Sequence, residues 1–269
     1  MTEPIRLIIS DIDGTLVRHD KSLSDDNIAA VARARAAGIA VSLISARPPS
    51  GMMWIAKSLG ISAPMGAFNG ATIFGPDGNV LSAEHLSRGA AAEALALLDA
   101  PGVSPWLFAD GQWHARDLAT PHIGREIQSA GVAPVVGGDW TALLDRADKI
   151  VGVCDVPETL AEIEVRAKAA LAGRATVARS QPYYLDILAP SGNKGAGITR
   201  IAELCDVPLT ETAALGDQNN DLAMFALAGL SVAMGQAPDN VQAGADHVAA
   251  SNEEAGVADA IDRFVLAGG

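Results

Sequence analysis

The stretch Arg6-Leu-Ile-Ile-Ser-Asp-Ile-Asp-Gly-Thr15 joins a short apolar run to two aspartates and a glycine. An apolar run of this length, followed by turn residues, predicts a strand buried in a parallel sheet. Residues two apart on an extended segment share a face, so Asp11 and Asp13 can approach one point beyond the end of that strand. Gly14 allows the chain to turn there with a positive φ.

The first and last thirds of the chain alternate strand-like and helix-like segments. Further strands are predicted at 39–44, 65–68, 212–215, 230–233 and 247–248. Helices are predicted at 24–36, 48–59, 194–205, 219–228 and 253–266. This order implies right-handed crossovers and a parallel sheet, whose chemistry lies beyond the carboxyl ends of the strands. The sequence therefore predicts an α/β fold with a Rossmann-like parallel sheet as its core.

The middle of the chain has a different order of predicted strands and helices, and a hairpin around Gly75-Pro-Asp-Gly78 precedes it. Its predicted strands are 105–108, 112–115, 148–154, 175–179 and 184–188. Its predicted helices are 87–98, one from about Asp117, and 157–171. Adjacent strand pairs indicate an antiparallel sheet in an α+β insertion. We predict a catalytic core of residues 1–82 and 189–269 and an inserted cap domain of residues 83–188, which suits a chain of 269 residues.

The chain is acidic, with a formal net charge of −13. This makes a nucleic acid or an anionic membrane a poor candidate partner, because both demand a basic face.

The two cysteines, Cys154 and Cys205, lie outside any CxxC pattern and are predicted to be buried reduced thiols. The first six residues lack the basic and apolar regions of a signal peptide, so we expect a cytoplasmic protein.

The pair Asp11 and Asp13 predicts metal-assisted phosphoryl chemistry. Two anions this close repel each other unless a cation lies between them, and oxygen ligands around a hard cation indicate magnesium. One carboxylate can attack phosphorus while the other exchanges a proton with the leaving oxygen. The structural alternative is an ordinary turn with an Asx cap.

A second acidic cluster, Gly216-Asp-Gln-Asn-Asn-Asp221, also follows a predicted strand and opens a helix. Asp217 and Asp221 can complete a metal site with the first cluster. The alternative is helix capping, which needs one acidic residue rather than two with two asparagines.

Three further positions fall at the same edge of the predicted sheet. Lys194 begins a helix, where its charge opposes the helix dipole, and a residue placed against local preference can have a task, here pairing with the phosphate or with the nucleophilic aspartate. The alternative is a solvated surface lysine. Ser45 ends the second strand before a helix and can form a phosphate cradle or a simple N-cap. Asn69-Gly70 ends the third strand, where a type I′ turn is the alternative to a functional role.

These motifs, in order along the chain, resemble those of the haloacid dehalogenase superfamily. The residues are Asp11-Ile-Asp-Gly-Thr15, Ser45, Lys194 and Gly216-Asp217 with Asn220-Asp221. Phe68-Asn69-Gly70 is similar to the Cof-like branch, which carries a large α/β cap and acts mostly on sugar phosphates and phosphorylated cofactors. The inserted domain matches that cap only in size and texture. Ser45-Ala46-Arg47 departs from the Thr-Gly-Arg more usual in that branch.

The resemblance implies a role for each position. Asp11 would be the nucleophile and a Mg²⁺ ligand, and Asp13 the general acid and base that also offers the metal its backbone carbonyl. Asp217 would be the third protein ligand, and Asp221 would act behind it or through water. The predicted substrate- and phosphate-binding residues are Ser45, Arg47, Asn69, Gly70, Lys194 and Asn220.

The predicted function is a magnesium-dependent phosphatase acting on a small phosphorylated metabolite, either a sugar phosphate or a cofactor such as pyridoxal phosphate or FMN. A monomer or a homodimer is expected. The alternatives are a phosphomutase, a non-enzymatic phospho-aspartate switch and an inactive binding protein. The cap residues that could face the site are Trp106, Trp113, His114, Arg116, Tyr183 and Asp186, although positions in the cap core or surface are favoured for them. A contact of His114 or Arg116 with the leaving group remains a hypothesis.

Overall fold

The computed structural model describes residues 3–267, so the outermost residues of the predicted core, 1–2 and 268–269, lie outside the described range. The strands are β1 (Leu7–Ser10), β2 (Ala40–Leu43), β3 (Met65–Ala67), β4 (Thr72–Phe74), β5 (Val80–Ala83), β6 (Ser104–Ala109), β7 (Gln112–Ala115), β8 (Val135–Val136), β9 (Ala147–Val153), β10 (Thr176–Gln181), β11 (Tyr184–Leu188), β12 (Thr212–Gly216), β13 (Leu230–Ala233) and β14 (His247–Val248). The α-helices are α1 (Asp25–Ala36), α2 (Pro49–Leu59), α3 (Arg88–Leu98), α4 (Ile123–Ala130), α5 (Pro157–Ala170), α6 (Lys194–Leu204), α7 (Leu222–Phe225), α8 (Asp239–Gln242) and α9 (Gly256–Ala260).

A parallel sheet in the order β14-β13-β12-β1-β2 forms the core of the molecule. Its central strand β1 is buried on both faces, as its continuous apolar run predicts. Ile8 packs in the cluster that includes α1 and α9, whereas Leu7 and Ile9 pack in the cluster with α6 and α7. The result is a three-layer α/β arrangement, which confirms the predicted fold class.

The third predicted strand, β3, differs from expectation because it is not a full member of the parallel sheet. It touches the β2 side through one parallel bridge between Ile44 and Gly66. Otherwise it pairs antiparallel with β4, and β4 pairs antiparallel with β5, in a separate three-stranded sheet. The predicted hairpin around Gly75–Gly78 is therefore present, and its first strand also pairs with β3.

A second sheet, in the order β10-β11-β9-β6-β7-β8, lies within the predicted insertion of residues 83–188. Its pairs are antiparallel except for the short β7–β8 contact. Helices α3 and α5 pack on one face, around residues such as Leu107 and Ile150. The other face carries Trp106, Phe108 and Val151 and joins the hydrophobic cluster of the core.

Several predicted helix boundaries are wrong. The helix expected from about Asp117 begins only at Ile123, because the Asp117 carboxylate caps a turn by accepting a hydrogen bond of 2.8 Å from the Ala119 amide. The helix expected at 219–228 starts as a 3₁₀ turn and continues as the short α7. The final helix, expected at 253–266, is broken at Ala255, which adopts a left-handed conformation with φ 56°.

The cap contacts the core where α4 meets α2. Ser50 Oγ donates to the Ala130 carbonyl at 2.7 Å, and an ideal Cβ on Gly51 would lie only 2.1 Å from the Ser129 carbonyl oxygen. Lys149 Nζ donates to the Ala46 carbonyl at 3.0 Å. These contacts place the cap over the loop that follows β2.

Cys154 is buried and Cys205 is half-buried, and they are not bonded to each other. Among residues 3–267, no helix combines the length and apolar character needed to cross a bilayer.

Candidate active site

The carboxyl ends of three neighbouring strands bring the predicted residues together. Asp11 follows β1 and Asp217 follows β12, and these strands pair in parallel with Ser10 opposite Leu215. Ser45 lies two residues beyond β2, on the other side of β1. Because the strands end at one edge, these side chains line the same cavity, as the sequence predicts.

Asp11, Asp217 and Asp221 form a buried carboxylate cluster. One oxygen from each lies within 4.8 Å of the others. Thr15 Oγ1 donates to Asp217 Oδ1 at 2.9 Å, and Gln218 Nε2 donates to Asp217 Oδ2 at 2.9 Å. These two bonds fix the orientation of the Asp217 carboxylate.

Lys194 lies between two members of this carboxylate cluster. Its Nζ is 2.5 Å from Asp11 Oδ1 and 2.6 Å from Asp221 Oδ1, and the side chain is 1% exposed. The other Asp221 oxygen accepts hydrogen bonds from the amides of Asp217 and Gln218. Asp221 therefore holds both the lysine and the loop, which agrees with its expected place behind the direct ligands.

Burial and repulsion between neighbouring carboxylates disfavour the ionised forms of Asp11 and Asp217. Burial raises the pKa of Asp11 to about 8, with Lys194 opposing the shift and Asp221 and Asp217 adding to it. Burial also raises the pKa of Asp217 to about 6, and Asp221 adds to that shift. Burial alone would lower the pKa of Lys194, but Asp11 and Asp221 outweigh it and raise the pKa above its ordinary value. A set of crowded oxygen donors of this kind fits a hard divalent cation such as Mg²⁺.

The Asp13 carboxylate is already paired in this geometry. Arg47 donates to its two oxygens from Nε at 2.6 Å and Nη2 at 2.7 Å, and Lys21 Nζ donates at 2.6 Å. Burial would raise the Asp13 pKa, but the hydrogen bonds and charges of Arg47 and Lys21 hold it below its usual range. Asp13 is thus an anion here, and its two cationic partners make it a weaker proton acceptor than a free carboxylate. No sequence pattern marks Lys21 as a site residue, and it was not predicted.

Ser45 lies on the cavity wall, with its hydroxyl at the start of the loop that precedes α2. Ser45 Oγ accepts a hydrogen bond of 3.2 Å from the Arg47 amide, and the Ser45 amide donates to the Gly66 carbonyl at 2.9 Å. Those two amides are therefore engaged within the protein. Arg47 also lines the cavity, where its guanidinium binds Asp13 and the Gly51 carbonyl.

Of the three remaining predicted residues, Asn220 lies on the cavity wall, whereas Asn69 and Gly70 do not. Asn69 and Gly70 both have positive φ, 57° and 93°, which agrees with the turn alternative. An ideal Cβ on Gly70 would lie 2.4 Å from the Cα of Gly197 in α6. The glycine therefore allows close packing against the helix that carries Lys194.

The core and the cap together line a cavity of about 590 Å³, and Asp11, Asp217 and Lys194 border it. Asp221 is fully buried and does not line it. The cap side of the cavity carries charged, hydroxyl and aromatic groups. These cap residues are Arg125, Glu126, Ser129, Lys149, Ser180, Gln181, Tyr183 and Tyr184. Of these residues, only Tyr183 was predicted from the sequence as a candidate. The predicted start of α4 was wrong, and no sequence pattern distinguishes Lys149 from the surface lysines.

The other cap candidates do not line the cavity. Trp106 and Trp113 are buried in the cap core, edge to face with centroids 5.0 Å apart. Arg116 lies 3.9 Å over the Trp140 ring, and His114 contacts the same ring. The hypothesis that His114 or Arg116 contacts the leaving group is therefore not supported by their positions.

Residues 8–261 match the sequence profile of the haloacid dehalogenase-like hydrolases. The chain belongs to this family. The predicted superfamily is thus confirmed, and the family supports the expectation of a divalent metal without identifying it.

Relatives of this haloacid dehalogenase-like hydrolase match nearly its whole length. A putative phosphatase of Haemophilus influenzae is 27% identical over 254 residues, which cover 94% of this chain and 95% of that protein. The 5-amino-6-(5-phospho-D-ribitylamino)uracil phosphatase YcsE of Bacillus subtilis is 27% identical, with 97% and 96% covered. The crystal structure of a haloacid dehalogenase-like hydrolase from Bacteroides thetaiotaomicron has a TM-score of 0.86 at 27% identity, with 97% and 99% covered. The predicted enzyme class, a phosphatase, is confirmed.

Proposed function

We propose that this protein is a magnesium-dependent phosphatase that hydrolyses a small phosphorylated metabolite through an aspartyl phosphate on Asp11. The observation that carries the proposal is the position of Asp11, which contacts Lys194, clusters with Asp217 and Asp221, and lines one cavity with Asp217 and Lys194. A nucleophilic carboxylate beside a buried ammonium and a set of metal-ligating oxygens is suited to phosphoryl transfer, where positioning and charge stabilisation dominate.

The reaction has two steps. A carboxylate oxygen of Asp11 forms a bond to phosphorus as the bond to the leaving oxygen breaks, and Asp13 gives that oxygen a proton. Asp13 then takes a proton from water, whose oxygen attacks the same phosphorus and releases phosphate and free Asp11. Mg²⁺ held by Asp11, the Asp13 carbonyl and Asp217 would offset negative charge on the transferring group.

Asp13 must gain a proton before it can act as the acid in the first step. Its present ion pairs with Arg47 and Lys21 favour the anion. A phosphate ester entering the cavity offers both cations another anionic partner, so their hold on Asp13 would weaken as substrate binds. The predicted phosphate-binding role of Arg47 thus agrees with its contact to Asp13.

The size and charge of the cavity support a small anionic substrate. Its volume of about 590 Å³ falls in the range typical of small-molecule sites. Cationic side chains line it although the chain as a whole is acidic. These are Arg18, Lys21, Arg47, Arg125, Lys149 and Lys194. A sugar phosphate or a phosphorylated cofactor fits these limits, and YcsE is named for a phosphorylated ribityl compound.

Phosphate release from a panel of sugar phosphates, pyridoxal phosphate and FMN, with Mg²⁺ and with chelator, tests the proposal. We expect release that requires the metal and that Asp11→Asn abolishes, while the folded state of that variant is retained. Transfer of the phosphoryl group back to an organic product would establish a mutase instead. An aspartyl phosphate that persists for hours would establish a signalling switch.

A further inference from the structure

We propose that Glu126 determines substrate specificity by accepting a hydrogen bond from a hydroxyl or ammonium group of the leaving group. This inference rests on the proposed phosphatase function and assigns the cap end of the same cavity. It predicts a leaving group that carries hydrogen-bond donors close to the phosphoester, as sugars, alditols and amino sugars do, and disfavours leaving groups without such donors.

The Glu126 side chain is largely buried but reaches the cavity, and its carboxylate has no partner among the described residues. The residue lies on α4, is 7% exposed and lines the cavity. Across residues 3–267 its side chain makes no hydrogen bond and no ion pair. Burying such a group without a partner is costly, and native proteins rarely leave one so. A donor from a bound ligand would complete the site.

The neighbouring groups do not meet this need. The Tyr184 hydroxyl, which also lines the cavity, is buried and lacks a partner within the described part of the chain. Both oxygens of the Asp186 carboxylate likewise lack partners there, but Asp186 does not line the cavity. Lys149 donates to the Ala46 carbonyl and lies 4.6 Å from the Phe108 ring centroid, without an ion pair to Glu126. Glu126 is therefore left without a donor from the described cap residues, although Arg125 and Lys149 line the same cavity.

Glu126 lies on the cap side of the cavity that Asp11, Asp13 and Arg47 also line. Burial raises its pKa, Lys149 opposes that shift, and Asp186, Asp13 and Arg47 also act on it. Asp13 is the group proposed to protonate the leaving oxygen. A substrate with its phosphorus at Asp11 would therefore extend its leaving group past Asp13 toward Glu126.

The test compares wild type, Glu126→Met and Glu126→Gln on glucose 6-phosphate, glucosamine 6-phosphate and 4-nitrophenyl phosphate, whose leaving group has no donor. We expect Glu126→Met to lower kcat/KM for the better sugar substrate, relative to 4-nitrophenyl phosphate, by about 10- to 100-fold, mostly through KM. Glu162→Gln, on the cap helix α5, is the control and should leave every ratio unchanged.

The Glu126→Gln variant distinguishes a hydroxyl donor from an ammonium donor on the leaving group. An amide oxygen still accepts from a hydroxyl, so a hydroxyl donor predicts a small loss on both sugars, whereas an ammonium donor predicts a large loss on glucosamine 6-phosphate alone. An unchanged ratio in Glu126→Met would overturn the inference. So would a wild type that hydrolyses 4-nitrophenyl phosphate but neither sugar phosphate. No phosphate release from any of the three, nor from the wider panel, would instead count against the phosphatase function.

Discussion

Replacing Lys194 with methionine removes the only cation in contact with the Asp11 and Asp221 carboxylates among the residues that the structure describes. The methionine keeps much of the side-chain volume, so the change is mainly one of charge. Removing one partner of a buried ion pair costs about 3–5 kcal/mol, because the remaining charge is left uncompensated. That is a large part of the roughly 5–15 kcal/mol by which native proteins are stable.

The cost of this substitution depends on pH, and its sign follows from the carboxyl pKa values. The folded-state pKa of Asp11 is already raised to about 8, and the loss of Lys194, which opposes that shift, would raise it further. A carboxyl whose pKa is raised by folding stabilises the fold at low pH, and that contribution is lost as pH rises through the folded pKa. Wild type and variant share this loss up to about pH 8, above which Asp11 is ionised in wild type but still protonated in the variant. The deficit should therefore be smaller near pH 5 and grow above about pH 8.

Urea unfolding of wild type and Lys194→Met in chelator at pH 5 and pH 8.5 measures this difference. Ile198→Ala is the control, since Ile198 is fully buried on the same helix, α6, and its loss of about 2–5 kcal/mol should not vary with pH. If Lys194→Met matched wild type at pH 8.5, or showed the same deficit at both pH values, the reasoning would be refuted.

Three other predictions concern the metal, the helix that carries the lysine, and the cap. Calorimetry of Mg²⁺ binding should show proton release that falls from more than one proton at pH 6 to about half a proton at pH 8, because binding ionises Asp11, whose pKa is about 8, and Asp217, whose pKa is about 6; heats independent of buffer would contradict this. Gly70→Ala would place a Cβ 2.4 Å from the backbone of α6 and should cost about 1–3 kcal/mol and lower kcat, so an unchanged melting temperature and kcat would contradict it. Lys149→Met loses the 3.0 Å hydrogen bond to the Ala46 carbonyl of the core and should lower kcat/KM with little change in melting temperature. Unchanged kinetics would show that this hydrogen bond does not help to position the cap for catalysis.

The catalytic end of the site could be predicted from sequence because its residues are tied to strand ends. Asp11 and Asp217 each follow a strand, and parallel pairing of β1 with β12 fixes their meeting point without knowledge of distant contacts. Lys194 could be predicted for a similar reason, since its charge stands against the local helix preference.

The cap end of the site could not be predicted in this way. Glu126 reaches the cavity only because α4 docks against α2, and Lys149 only because β9 runs centrally in the cap sheet. Neither contact leaves a periodic or local signal in the sequence. The ion pairs of Asp13 with Arg47 and Lys21 likewise depend on how two loops fold over each other.

The tight approach of α2 to the cap sets a limit on how this enzyme could acquire a new cap. Gly51 has no room for a Cβ against the Ser129 carbonyl, and the neighbouring Ser50 binds the last residue of α4. The core surface is therefore shaped to one particular helix end. A cap domain recombined from a relative would dock here only if its own helix ended at the same place. Relatives with a different cap helix end should therefore also carry different residues at positions 50–51.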